Sequence, residues 1–182
     1  MMQPLDENAR FQAAPPEEIL GWVWDTFGEL AVSSSSFQTQ SVVLLHMIGK
    51  VTPKMPVLFL DTGFHFPETL AFRETLTQEW GLNLINITPE AYITRDNLSE
   101  LRRVDPDFCC LHAKVSPLQR ALHGKKAWVT GIRRDQTAAR QNTPVISEQS
   151  GGLLKIAPLA NWSWADVRAY ISEHKLPVHP LE

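Results

Sequence analysis

The sequence is poor in cysteine: its 182 residues contain only two, Cys109 and Cys110, and these are adjacent. A disulfide between neighbouring cysteines would strain the peptide that joins them. Two such residues also cannot form the kind of disulfide framework that holds small secreted domains together. We therefore expect a reducing, cytoplasmic environment, and the pair calls for another explanation.

Long apolar runs and an excess of basic charge are also missing. No stretch reaches the roughly 20 apolar residues that a membrane-spanning helix requires. The first residues, MMQPLDENARFQ, are too polar and acidic for a signal peptide. The formal net charge is −3, so no general affinity for polyanions is expected. Membranes and nucleic acids are therefore not expected partners, and any basic site must be local.

The size and composition predict one domain. The 182 residues, 43% of them hydrophobic, suffice for one proper core and are few for two. We predict a single domain over 1–182, with a flexible segment at 1–14.

Helical and strand patterns alternate along the chain. Helices are predicted at 15–30, 38–50, 67–81 and 116–124, and from Ser163 onwards. Strands are predicted at 30–32, 56–61, 82–88 and 127–132, with a short strand or extended segment at 153–159. Gly81 ends one helix, and Ser163 with Asp166 has the spacing of a capping box. The alternation predicts an α/β fold, a mostly parallel sheet sandwiched by helices.

Three polar segments follow predicted strands: SSSSFQTQS, DTGFHFPET and GIRRDQTAAR. Ligands of parallel sheets bind outside the carboxyl ends of the strands. The sequence therefore predicts one site where these three loops converge.

Each loop has a chemical interpretation and a plainer alternative. The serine turn offers hydroxyls and N–H groups to an anion, or is only a polar connector; it lacks the glycines and lysine of a Walker A loop. Asp61 suits a ribose, an amine or a metal, or satisfies loop backbone. His65 is interpreted as a loop hydrogen-bonding residue. Arg133, Arg134 and Arg140 suit sulfate or phosphate, or form a solvated charge run.

Five motifs resemble, in order and spacing, those of the adenylyl-sulfate and phosphoadenylyl-sulfate reductases. They are SSSSFQTQSVVLLHMI, LFLDTGFHFPET, CCLHAKVSPL, WVTGIRRDQTAAR and KIAPLANWSWADVRAYI, and together they run from about residue 30 to about residue 180. The resemblance implies an adenine nucleotide alpha hydrolase-like fold (PP-loop, Rossmann-like), with the serine-rich turn as a modified pyrophosphatase loop.

The resemblance also implies roles for individual residues. Substrate contacts are implied for Ser34, Ser35, Ser36, Phe37, Ser41, Leu60, Asp61, Thr62, Gly131, Arg134 and Arg140. Cys109 and Cys110 match the vicinal pair that, with a later CxxC, ligates a [4Fe–4S] cluster in the branch that uses adenylyl sulfate. Lys114 matches a lysine between cluster and substrate, where an ammonium would neutralise thiolates and attract sulfate. No flavin or nicotinamide is implied. We expect the segment 104–115 to be a loop leading into a helix at Ser116.

The activity implied is reduction of adenylyl sulfate to sulfite and AMP in assimilatory sulfate reduction. It passes through an enzyme S-sulfocysteine, which thioredoxin or a glutaredoxin-like dithiol resolves. The family's CxxC and catalytic cysteine follow the point at which this sequence stops. We therefore expect a chain that does not complete the reaction alone, either because it is truncated at its C-terminus, which the five intact motifs favour, or because it is a degenerate homologue.

Two other functions stay open. One is phosphoadenylyl-sulfate reduction, against which the cysteine pair argues. The other is a non-redox PP-loop ATP-pyrophosphatase or nucleotide-binding protein, which would need an SGGxDS-type loop where this chain has serines and Gln40–Ser41. Whether the protein forms a homo-oligomer is also open.

Overall fold

The computed structural model describes residues 4–90 and 95–181. Its strands are β1 (Ala31–Ser34), β2 (Pro56–Leu60), β3 (Asn83–Ile87), β4 (Ala127–Thr130), β5 (Ile146–Gln149) and β6 (Leu153–Ile156). Its helices are α1 (Pro4–Arg10), α2 (Pro16–Phe27), α3 (Thr39–Val51), α4 (Pro67–Trp80), α5 (Arg95–Val104), α6 (Pro106–Cys110), α7 (Ser116–Leu122) and α8 (Trp164–Glu173). Among the described residues, no helix is long and apolar enough to cross a membrane.

The six strands form one sheet in the order β3-β2-β1-β4-β6-β5. All neighbouring pairs are parallel except β5 with β6, which is antiparallel at the edge. The prediction of a mostly parallel sheet is confirmed. The short antiparallel strand β5 and the helix α5 were not predicted from the sequence.

The central strands are apolar because helices cover both faces of the sheet. In β2 the three middle residues, Val57, Leu58 and Phe59, are at most 3% exposed. Helix α4 begins with Pro67 in its first turn and ends at Gly81, whose φ of 60° is left-handed. Helix α8 has the predicted capping box, with Ser163 and Asp166 bonded reciprocally. Local signals thus set the ends of these two helices.

The first residues pack on the edge of the sheet. Within the stretch predicted to be flexible, 1–14, helix α1 is followed by Phe11, which is fully buried and contacts the Trp22 ring at 4.9 Å between centroids. The Asn8 side chain also accepts a hydrogen bond from the Ile146 N–H of β5. Flexibility of this stretch stays a prediction, and residues 1–3 lie outside the described residues.

The segment that carries the two cysteines is helical, which corrects the prediction of a loop at 104–115. Asp105 caps α6 by accepting the Phe108 N–H, and a π-helical turn, Leu111–Val115, joins α6 to α7. A π turn holds one residue more than an α turn. The 3.6-residue spacing is lost there, so periodicity did not reveal the helix.

The chain order places a crevice beside β1. The chain passes from β1 to β2 and β3 on one side, then returns to place β4 on the other side of β1. Ligands of open α/β sheets bind at such a reversal, outside the carboxyl ends of the strands. The loops after β1, β2 and β4 are therefore neighbours at one edge of the sheet.

Candidate functional site

The loop after β1 places serine hydroxyls at the start of a long helix. The Ser36 and Ser41 hydroxyls lie 3.3 Å apart, and the Ser35 N–H donates to the Leu58 carbonyl at 3.0 Å. Gln38, at the N-cap of α3, makes no side-chain capping bond. An uncapped helix N-terminus carries unsatisfied N–H groups and a partial positive charge, which suit an anion.

Phe37 has a structural part in this loop. Its φ is 56°, an uncommon left-handed conformation for a residue other than glycine. Its ring is fully buried and meets the Phe59 ring edge-on at 5.7 Å. Burial of this ring offsets the backbone strain and fixes the turn. Phe37 was predicted as a substrate contact, but its side chain faces the core.

The loop after β2 is shaped by short-range hydrogen bonds. The Asp61 carboxylate accepts the Gly63 N–H at 3.0 Å, and the Thr62 hydroxyl accepts the Phe64 N–H at 3.4 Å. His65 Nε2 lies 2.8 Å from the Leu60 carbonyl oxygen. Since a carbonyl only accepts, Nε2 carries the proton. The prediction that His65 is a hydrogen-bonding loop residue is confirmed.

These two loops enclose a cavity of about 270 Å³ at the carboxyl ends of β1 and β2. Its lining includes Ser34, Ser35, Ser36, Leu58, Phe59, Leu60, Thr62, His65 and Lys114. Two of the three predicted loops and the predicted lysine thus meet. The wall combines hydroxyls and a cation with an apolar floor, which suits an aromatic ring bearing an anionic group.

A second cavity, of about 500 Å³, adjoins the first and contains both cysteines in its wall. Thr62, His65 and Lys114 line both cavities. Lys114 is exposed, and within the described residues no carboxylate lies within salt-bridge distance of its ammonium. An unpaired cation at this junction can attract negative charge from either side.

The two cysteines differ in their surroundings. Cys109 is 7% exposed, packs with Leu98 and Ala113, and its thiol donates to the Leu98 carbonyl at 3.6 Å. Cys110 is exposed. Among the described residues, no group of three or more histidine, cysteine or acidic side chains is arranged to hold a metal ion.

The loop after β4 is held by its arginines. Arg133 is 2% exposed; its guanidinium donates to the Asp135 carboxylate at 3.0 Å and to Gln40 Oε1 at 3.2 Å. Gln40 lies in the first turn of α3, so Arg133 ties the two loops together. Arg134 donates to the Thr143 carbonyl at 2.8 Å and also to Asn161 and Gln12. These contacts hold the Arg134 guanidinium against the protein itself.

Gly131 and Arg140, the other predicted members of this loop, do not line the cavities described above. Arg140 is exposed and donates to Gln136 Oε1. Burial, and then the charge of Arg140, lower the pKa of Lys155 from its ordinary value. Lys155 and its neighbour Trp128 were not predicted as site residues, because each stands alone within an apolar strand.

The comparisons with known proteins agree with this geometry. A family model described as the phosphoadenosine phosphosulfate reductase domain matches residues 30–182. The chain is 40% identical to an adenosine 5'-phosphosulfate reductase of Rhodococcus opacus, over 95% of this chain and 75% of that protein. It is also 40% identical to a phosphoadenosine 5'-phosphosulfate reductase of Gloeobacter violaceus, over 91% of this chain and 71% of that protein.

A solved structure has the same fold. The crystal structure of phosphoadenylyl-sulfate reductase from Candida auris, as a phosphate complex, superimposes with a TM-score of 0.85. The two sequences are 30% identical, and the superposition covers 100% of this chain and 91% of the Candida auris chain. The predicted α/β architecture is thereby confirmed.

Proposed function

The chain belongs to the phosphoadenosine phosphosulfate reductase domain family, and on that premise we propose that it binds adenylyl sulfate for reduction to sulfite and AMP. The observation that carries the proposal is the pair of adjoining cavities. One is lined by the serine loop and the end of β2, the other by the cysteines, and Lys114 lies between them.

The first cavity is proposed to hold the nucleotide. Leu60 and Thr62 would contact adenine and ribose, with Asp61 beside them as acceptor for a ribose hydroxyl. The hydroxyls of the serine loop and the N-terminus of α3 would face the anionic group. Ser41 would act through its bond with Ser36. Gly131, Arg134 and Arg140 are proposed to close the site from the β4 side, with Arg140 as the exposed cation among them.

The cysteine cavity is proposed to hold one side of a [4Fe–4S] cluster. Thiolates are the ordinary ligands of such clusters, which take four cysteines in the usual case. Cys109 and Cys110 line one cavity and are proposed to take two of these positions. A bound cluster would supply charge stabilisation near the transferred sulfonyl group. Lys114 would compensate the thiolate charge and turn its ammonium towards the substrate sulfate.

The reaction breaks the bond between sulfur and the bridging oxygen. A thiolate attacks the sulfate sulfur, AMP leaves with the bridging oxygen, and an S-sulfocysteine forms. One thiolate of a thioredoxin-class dithiol then attacks the cysteine sulfur, so that sulfite leaves and a mixed disulfide forms; the second thiol displaces the enzyme cysteine as a free thiol, and the dithiol is left as its disulfide. The attacking thiolate is not assigned to Cys109 or Cys110, since both are proposed as cluster ligands. The cation and helix terminus of this chain would stabilise charge on the departing groups.

Calorimetric titration with AMP, adenylyl sulfate and 3'-phosphoadenylyl sulfate tests the proposal. The folded chain should bind the first two and bind the 3'-phosphorylated form more weakly. Tighter binding of the phosphorylated form would assign the chain to the other substrate. No heat with any of the three, from protein with an intact thermal transition, would refute nucleotide binding.

Arg140→Ala should weaken the binding of adenylyl sulfate more than the binding of AMP. The difference should be about tenfold, as expected for one charge-assisted hydrogen bond. Arg168→Ala, on the exposed face of α8, is the matched control and should bind both ligands like the wild type. Equal weakening of both ligands by Arg140→Ala would show that this arginine does not face the sulfate.

A further inference from the structure

We infer that Trp128 is a positioning residue for the nucleotide loop, acting through the hydroxyl of Ser34. The inference rests on the proposed function, because it concerns how the same cavity presents a donor to its ligand. Ser34 ends β1 and lines the 270 Å³ cavity. Trp128 lies in the neighbouring strand β4, outside that cavity.

The chemistry of the two groups fixes the direction of their hydrogen bond. Trp128 Nε1 lies 2.9 Å from Ser34 Oγ. An indole N–H only donates, so the serine oxygen must accept and cannot direct its own proton towards the indole. Within residues 4–90 and 95–181, no protein acceptor for the Ser34 hydroxyl proton is found. The hydroxyl is therefore left as a donor for an anionic ligand in the cavity.

The indole itself is held from the far side. Lys155 is the β6 partner of Trp128 in the sheet register, so the two side chains share a face. Its ammonium lies 5.1 Å from the centre of the indole ring, a cation–π contact. A row of three side chains, Lys155, Trp128 and Ser34, thus crosses three adjacent strands and ends at the ligand cavity.

A double-mutant cycle tests the inference. Trp128→Phe keeps an aromatic ring and removes the N–H donor together with part of the ring; loss of one neutral hydrogen bond should weaken AMP binding about fivefold. In a Ser34→Ala background the same change should have almost no further effect, since the group it positions is gone. Trp80→Phe, at the end of α4, is the matched control and should bind AMP like the wild type.

A purely structural role gives a different pattern. If Trp128→Phe weakens AMP binding equally in the wild-type and Ser34→Ala backgrounds, the inference is wrong. It is also wrong if the wild type binds AMP and Trp128→Phe binds it equally well. If the wild type itself fails to bind AMP, the proposed function falls and the inference with it.

A second measurement does not depend on the Phe variant being stable. In ¹⁵N–¹H spectra of the wild-type chain, the Trp128 indole resonance should move when AMP is added, and Ser34→Ala alone should also move it. Lys155→Met should weaken AMP binding by about twofold, the small effect expected from the loss of a partly exposed cation–π contact. If neither AMP nor Ser34→Ala changes the chemical shift of the indole N–H, the inference is wrong.

Discussion

Replacing Arg133 by methionine should destabilise the fold although the residue lies in a loop. The side chain is 3% exposed, and it donates to Asp135 and to Gln40. Methionine fills much of the volume but makes neither bond. Removing one partner of a fully buried ion pair costs about 3–5 kcal/mol. The Asp135 side chain is 32% exposed and still accepts the Trp164 N–H, so water can replace the lost arginine and we expect a loss of about 2 kcal/mol.

For a chain of this size, about 2 kcal/mol corresponds to a fall of roughly 4–8 °C in Tm. Thermal unfolding followed by circular dichroism, with urea titration for the free energy, measures it. Arg140→Met is the control within the same loop; Arg140 is exposed, so its change should stay within about 0.5 kcal/mol. Equal melting temperatures for both variants would refute the argument that Arg133 fastens the β4 loop to α3.

Two further predictions concern reactivity and pH. In the metal-free chain, Cys110 should react with a thiol reagent much faster than Cys109, because only Cys110 is exposed; a single fast phase that survives Cys110→Ser would contradict this. Burial first, then the charges of His174 and Lys50, lower the pKa of His46. The unfolded chain therefore takes up this proton first, so stability should fall as the pH drops below about 6.5. The free energy of unfolding, measured by urea titration over this pH range, should depend less on pH for His46→Gln than for the wild type. An unchanged pH dependence would exclude His46 as its source.

Much of the sheet could be predicted because its signals are local. Apolar runs such as Pro56–Leu60 announce buried strands, and Gly81 stops α4 through a left-handed φ that glycine adopts freely. The capping box at Ser163 depends on residues three apart. The meeting of the loops after β1 and β2 followed from the rule that parallel strands present their carboxyl ends at one edge.

What could not be predicted depends on distant contacts or on an altered helical period. The guanidinium of Arg134 is occupied by Thr143, Asn161 and Gln12, which only the folded chain brings to it. The three arginines of one short motif therefore differ in exposure and partners, although they look alike in sequence. Strand β5 is short and pairs only at the edge, and its residues Ile146–Gln149 contain no apolar run that would predict a strand.

The π-helical turn sets the orientation of the cysteine pair relative to α7. Helix α7 is packed on β2 and β3 and cannot rotate freely. If the turn at Leu111–Val115 adopted α geometry with its sequence unchanged, the residues of α6 would rotate by about 100° around the helix axis relative to α7. Cys109 and Cys110 would then leave the wall they share with Thr62. Such a change would separate the thiols from the nucleotide pocket without any substitution in the sequence.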